Sequence, residues 1–208
     1  IEDLNNGWDI HYLTGREVYG WTDPSEMDKD TRRNVKGVNF GLIYGGSAKT
    51  ISLQTGVPEA VVHELILAFY KRYPQVRRWQ DDNIRLVDSR AEWKGERTSS
   101  GKPARSSFLT SPMGRVFKFV EDEPPWGGKP NFTPTKIKNY PVQGFATGDI
   151  VPTAVMLVAK ALCSYIKQGL LSRTHLTNTV HDSIIIDVHK DELKTAVKLV
   201  VSTMEGAV

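Results

Sequence analysis

From Asp9 to Leu86, apolar residues recur at the three- and four-residue spacing of helices buried along one side. Asp9-Ile10-His11 through Val18-Tyr19-Gly20 reads as a short helix ended by glycine. After a polar connection from Trp21 to Lys29, Asp28 is the N-cap of a helix over about 28–45, which Gly45-Gly46 ends. Residues 48–54 make a short helical turn, and Pro58 opens a helix on which Val61, Val62, Leu65, Phe69 and Tyr70 repeat with helical period. Trp79, Ile84 and Leu86 predict another helix after Tyr73-Pro74. The period vanishes from Lys94 to Ser107, which reads as a flexible basic loop. Phe108 to Val120, centred on Pro112-Met113-Gly114-Arg115, predicts a β-hairpin, and Glu121 to Pro134 an irregular connection. Thr147 to Gln168 carries apolar residues on most faces and predicts a long buried helix, with Pro152 near enough to its start to be tolerated. Leu176 to Val188 alternates as a hairpin, and a final amphipathic helix begins at Asp191. The expected class is α+β, mainly helical.

Composition narrows this picture little. The chain has 208 residues, 39% of them apolar, enough for one large domain or two modest ones. A net charge of +3 is too small to mark a nucleic-acid binder by bulk charge, so any DNA-binding surface must be local. A single cysteine, Cys163, excludes an internal disulfide and a cysteine-cluster zinc site, fits a reducing compartment, and reads as core filler. No stretch approaches the ~20 apolar residues of a membrane span, and no secretory pattern opens the chain. The expected location is inside the cell. Beginning at Ile1 and stopping at Val208 in helical character, the sequence is expected to be a piece of a longer chain.

The densest chemistry lies in Arg32-Arg33-Asn34-Val35-Lys36-Gly37-Val38-Asn39-Phe40-Gly41-Leu42-Ile43-Tyr44-Gly45. Arg32, Lys36, Phe40 and Tyr44 are four apart; each step turns about 400° on a helix, so they share one drifting face. Two cations suit a polyphosphate, and the two rings beyond suit a sugar and a base. An amphipathic helix with a solvated basic end and a packed aromatic end has the same spacing.

Arg-x-x-x-Lys-x-x-x-Phe-Gly-x-x-Tyr-Gly resembles motif B of the family A DNA polymerases, the group containing bacterial DNA polymerase I and many phage replicases. The resemblance implies a fingers helix that closes over an incoming dNTP. Arg32 and Lys36 would hold the triphosphate, with Lys36 counted among the catalytic residues; Phe40 would pack on sugar and base, and Tyr44 would sit beside the template base, with Gly45 contacting DNA. Asp9-Ile10-His11 is similar to the segment that precedes motif B, and Arg115 to the Gly-Arg of the family's hairpin, a DNA contact. The basic stretch 94–107 departs from bacterial DNA polymerase I.

A second constellation, Val180-His181-Asp182-Ser183, stands between two β-prone runs, where a turn would project Asp182 toward solvent and metal. As a bare tripeptide, His-Asp-Ser is also ordinary turn chemistry. In order and distance it resembles motif C, His-Asp-Glu, which implies that Asp182 is a catalytic ligand for Mg²⁺ and His181 a primer-terminus contact. Two ions would serve the complete enzyme. Ser183 replaces the usual Glu. Asn139-Tyr140-Pro141-Val142-Gln143-Gly144 resembles the family's Asn-x-Pro-x-Gln-Gly, implying that Asn139 and Gln143 contact primer and template in the minor groove. The family's arginine eight residues before this Gln is Thr135 here, with Lys136 beside it.

The resemblance implies fingers over 1–134 and the C-terminal part of a palm over 135–208, with motif C at 180–183. Motif A, which carries the other catalytic aspartate, is not in the chain, so these residues alone are expected not to polymerise. The expected partners are primer-template DNA and dNTPs, with no membrane. Two alternatives stand beside this reading: a single-subunit RNA polymerase, or a degenerate module that binds nucleotide or DNA without catalysis.

Overall fold

The computed structural model describes residues 2–125 and 127–207 and divides into two compact units. The first comprises residues up to Leu109 together with Phe117–Asn139; the second comprises Thr110–Val116 and residues from Tyr140 onward.

The first unit opens with α1 (Glu2–Asn5) and α2 (Ile10–Tyr19), the latter capped by Asp9 and closed by Gly20 in the left-handed region. Helix α3 (Lys29–Ile43) starts at Asp28, whose carboxylate accepts from the amides of Asp30 and Thr31. Helices α4 (Ala48–Thr55), α5 (Glu59–Arg72) and α6 (Pro74–Ser89) follow. All five predicted helices of this region form. Val35, Val38 and Leu42 of α3 are buried with Ile51, Val57, Val62, Leu65 and Phe69 in one core. Close approach is possible because α3 presents glycine to α4. A Cβ on Gly41 would stand 2.7 Å from Ile51 Cγ1, and one on Gly37 would stand 2.8 Å from Thr55 Cγ2.

The stretch expected as a flexible loop is instead a β-ribbon. Strand β1 (Glu92–Arg97) pairs antiparallel with β2 (Pro103–Thr110), and β3 (Val116–Val120) completes a three-stranded sheet in the order β1-β2-β3. Its buried positions on β2 include Ala104, Ser106 and Ser107, so burial leaves no apolar alternation to read. Strand β1 is an edge, exposed nearly throughout. Four of the ribbon's cations are paired, Lys94 with Glu92, Lys102 with Glu123, Arg105 with Glu121 and Lys118 with Glu96, while Arg97 donates to the Gly101 carbonyl. Leu109, Phe117 and Phe119 pack with Val87, Phe132 and Ile137 in a second core. The expected hairpin thus exists, with β2 beginning earlier. The connection after β3 is irregular apart from the bridge Asp122–Asn131.

Helix α7 (Pro134–Phe145) was not legible as a helix, because Pro141 and Gly144 interrupt its pattern. A π-helical turn (Ala146–Ile150) joins it without a break to α8 (Val151–Lys167). The joined helix, Pro134–Lys167, is long and apolar enough to cross a membrane by length and composition alone, contrary to the sequence reading. In the second unit one face of it is packed: Val158 and Leu162 lie buried with Leu171 and Ala196, against Leu176, Ile184, Ile186 and Val188. Burial is limited to that face, since Met156 and Ile166 are exposed, as is Cys163, which is therefore not core filler.

Strands β4 (Thr174–Val180) and β5 (Ser183–Val188) form the predicted hairpin, and α9 (Leu193–Glu205) the final helix. Glu192 ties them together. Its carboxylate accepts from Thr174 Oγ1 at 2.7 Å, from the Ser172 amide at 2.7 Å and from the Arg173 amide at 3.1 Å. These bonds, the Thr174 hydroxyl foremost, bring its pKa down from 4.5 to about 2.

Gly41→Ala gains about 1 kcal/mol of helix propensity but forces a methyl into the buried Ile51, an overpacking cost of about 1–3 kcal/mol. A lowered urea midpoint is expected. For Glu192 the folded pKa lies below the unfolded one, so its stabilisation is full above pH 4.5 and is lost as pH falls toward 2. Glu192→Gln should remove that part of the acid dependence, seen as a smaller difference between denaturation midpoints at about pH 5 and about pH 3.

Candidate functional site

The predicted face of α3 is present as a continuous row. Lys36 Nζ lies 5.5 Å from the centroid of the Phe40 ring, and the Phe40 and Tyr44 centroids are 6.1 Å apart. Phe40 is 41% exposed, on a helix whose other side packs through Val35, Val38 and Leu42. At the basic end, Arg32 donates through Nε to Asp9 Oδ2 at 2.8 Å. Burial pushes the Asp9 carboxyl up, but the His11 amide and the Arg32 guanidinium outweigh it and hold it below the ordinary carboxylate range.

Two residues beneath this face received no role in the sequence reading. His11 is buried with its ring 6.0 Å from that of Phe40, and Asn39 Nδ2 lies 3.1 Å from His11 Nδ1 and 3.2 Å from Thr14 Oγ1. Burial foremost pushes His11 down, with Arg32 and Lys36 adding to it against Asp9. A neutral imidazole with its proton on Nε2 then accepts from Asn39. The signal for these two was local: Asn39 stands immediately before Phe40, and His11 two residues past the cap.

Beyond α3, Gly45 has φ 80°, and a Cβ there would meet Thr135 Cα at 3.1 Å and Lys138 Cδ at 3.0 Å. Only glycine suits both the left-handed conformation and that approach. Burial lowers the pKa of this Lys138. Asn139 and Gln143 lie four apart on α7, with Gln143 exposed.

In the second unit, His181 and Asp182 are the two-residue turn of the β4–β5 hairpin, between the paired Val180 and Ser183. Both are exposed. His181 has φ 54°, the one positive φ on a non-glycine residue among those described. A positive φ at the first central position alone is the type II′ pattern, which favours glycine there, so histidine carries local strain of about 1–2 kcal/mol. Among the described residues no group of three or more His, Cys, Asp or Glu is placed to hold a metal ion. Asp187 is five residues beyond Asp182, about 16 Å along an extended strand, too far to share an ion with it.

Arg115, about half exposed, is held by residues of its own unit. Its Nε donates to Asp149 Oδ1 at 2.6 Å and its Nη2 to Gly148 O at 2.5 Å, while Ser111 Oγ donates to Asp149 Oδ2 at 2.6 Å. The Ser111 hydroxyl, then Arg115, hold the Asp149 carboxyl below its ordinary range.

The α3 row and the hairpin tip lie in different units, each with its expected residues on solvent-accessible positions. DNA polymerase I of Streptococcus pneumoniae serotype 4 (strain ATCC BAA-334 / TIGR4) is 31% identical over 208 residues, all of this chain and 21% of that protein. DNA polymerase I of Rhizobium leguminosarum is 27% identical over 204 residues, 98% of this chain and 18% of that one. The chain thus spans about a fifth of the length of these relatives. Among solved structures, the POL domain of Pol1 from M. smegmatis, in complex with DNA primer-template and dNTP, has a TM-score of 0.74 at 23% identity. That likeness covers 100% of this chain and 32% of that one, and it shows a shared α+β fold. The pattern of DNA polymerase family A matches residues 1–208, and the chain belongs to that family.

Proposed function

We propose that the chain forms the fingers and the C-terminal palm of a DNA-dependent DNA polymerase, which adds dNTPs to a primer 3′ end in DNA replication or repair. The observation that carries this reading is the row of Arg32, Lys36, Phe40 and Tyr44 on the one open face of α3. Family membership over the whole chain favours it over an RNA polymerase. The fingers are assigned to 1–134 and the palm to 135–208; the change of unit after Asn139 supports this division, with Thr110–Val116 falling in the second unit. A cytoplasmic location follows from that role.

In this reading Lys36 and Arg32 grip the triphosphate, Arg32 exchanging the Asp9 carboxylate for phosphate oxygens of higher charge. Phe40 stacks on the sugar and base, steadied by His11 below it. Tyr44 and Gly45 lie at the template base, and Asn139, Gln143 and His181 contact the primer-template. Minor-groove acceptors occur in every base pair, so amides there sense pairing without reading sequence.

Asp182 suits Mg²⁺: it is a hard oxygen donor, exposed at a turn tip where substrate phosphates and water complete a coordination shell. One carboxylate and the Ser183 hydroxyl do not suffice for two ions. The second carboxylate is assigned to another part of the complete polymerase, and the 208 residues alone are proposed not to polymerise. When bound, such ions supply charge stabilisation at the primer hydroxyl and at the departing pyrophosphate.

Primer extension by the complete polymerase tests the assignment. Lys36→Ala should lower kcat/KM for dNTP roughly tenfold to over a hundredfold, the range for losing a charged hydrogen bond to phosphate; unchanged kinetics would remove Lys36 from the site. Phe40→Tyr places a hydroxyl where a dideoxynucleotide lacks one. Chain termination by dideoxynucleotides should rise strongly with dNTP addition nearly intact, and equal termination by both enzymes would place Phe40 away from the sugar.

A further inference from the structure

The π-helical turn Ala146–Ile150 is held by a closed set of bonds that the functional reading does not use. Asp149 is only 8% exposed, and both its oxygens are taken, one by the Arg115 guanidinium and one by the Ser111 hydroxyl. The Ser111 oxygen in turn accepts from the Arg115 amide at 3.1 Å, and the Ser111 amide donates to Arg115 O at 2.8 Å, closing the turn that carries both side chains. Arg115 also reaches Gly148 O. Gly148 has no room for a side chain on that side, since a Cβ would lie 3.0 Å from Arg115 Cζ and Nε. On the other side of the turn, Thr147 Oγ1 donates to Gln143 O at 2.7 Å.

A π turn inserts one residue into a helix, so the segment before it is rotated by about 100° from where an unbroken α-helix would put it. Such turns are rare and recur at functional sites. We propose that Ser111, Arg115 and Asp149 are a positioning clamp: they fix the π turn, and with it the rotational phase at which Gln143 is presented to the primer-template. The inference rests on the reading of Gln143 as a minor-groove contact. Arg115 is then a positioning residue rather than a DNA contact, acting through the helix. The charge on Asp149 is needed for the guanidinium, and the bare Cα of Gly148 for the guanidinium's approach.

Two variants test it. Asp149→Asn keeps the size of the side chain and removes its charge. Gly148→Ala removes no polar group and favours helix, yet displaces the guanidinium. In the complete polymerase, amide exchange over residues 140–150 should quicken about tenfold or more in both variants, with α9 unchanged. In the complete polymerase, the ratio of matched to mismatched primer-terminus extension should fall about three- to tenfold, the worth of one hydrogen bond. A merely structural role would lower both extensions together and leave the ratio alone. Exchange at the wild-type rate in both variants would overturn the clamp, whatever the enzyme does. An unchanged ratio, in an enzyme that extends matched primers, would overturn its link to Gln143. A wild-type enzyme that extends nothing would instead refute the polymerase reading and leave the exchange result to decide the clamp.

Discussion

Two glycines one turn apart decide how much of α3 is available for chemistry. Gly37 and Gly41 let α4 approach until no Cβ fits between them, while Val35, Val38 and Leu42 are buried on another side. Each of those three contributes about 1.5–3 kcal/mol by leaving water. With those sides committed to packing, the remaining one carries Arg32, Lys36 and Phe40, and nothing in the core competes for it. An open phenylalanine beside a lysine is costly to expose and difficult to keep oriented. The packed helix and the His11–Asn39 pair beneath supply that orientation before any ligand arrives.

Charge is distributed with the same economy. Setting aside Arg115, residues 92–123 carry five cations and five carboxylates, and four of the cations face a carboxylate across or along the ribbon. Exposed pairs of this kind add little stability. What they do is offset much of the local positive charge, so the stretch is less basic in the fold than its sequence suggests. The cations left facing solvent on α3 are correspondingly more distinctive.

Most of the helices, the four-residue repeat on α3 and the two-residue turn at 181–182 were legible because each rests on local rules: caps at Asp9 and Asp28, a helical period, and a turn between β-prone runs. The ribbon β1–β2 was not, because serines and alanine fill its buried positions and ion pairs stand in for apolar contacts. Helix α7 was hidden by Pro141 and Gly144, whose local preference tertiary packing of Ile137 overrides. The Arg115 clamp joins residues more than thirty positions apart, and long-range pairing of that kind leaves no mark on the pattern of either segment.

The turn at His181 bears on how this sequence can drift. A histidine held at φ 54° makes the native state less favourable than glycine or asparagine would at the same place. Random substitution under selection for folding alone would therefore move the position toward those two residues. A histidine at this turn is therefore a choice that folding alone does not favour, and its ring is the part of the residue that the fold does not use. Copies that lose the histidine to either of those residues should gain stability, and that change would begin at the tip of the hairpin rather than in its core.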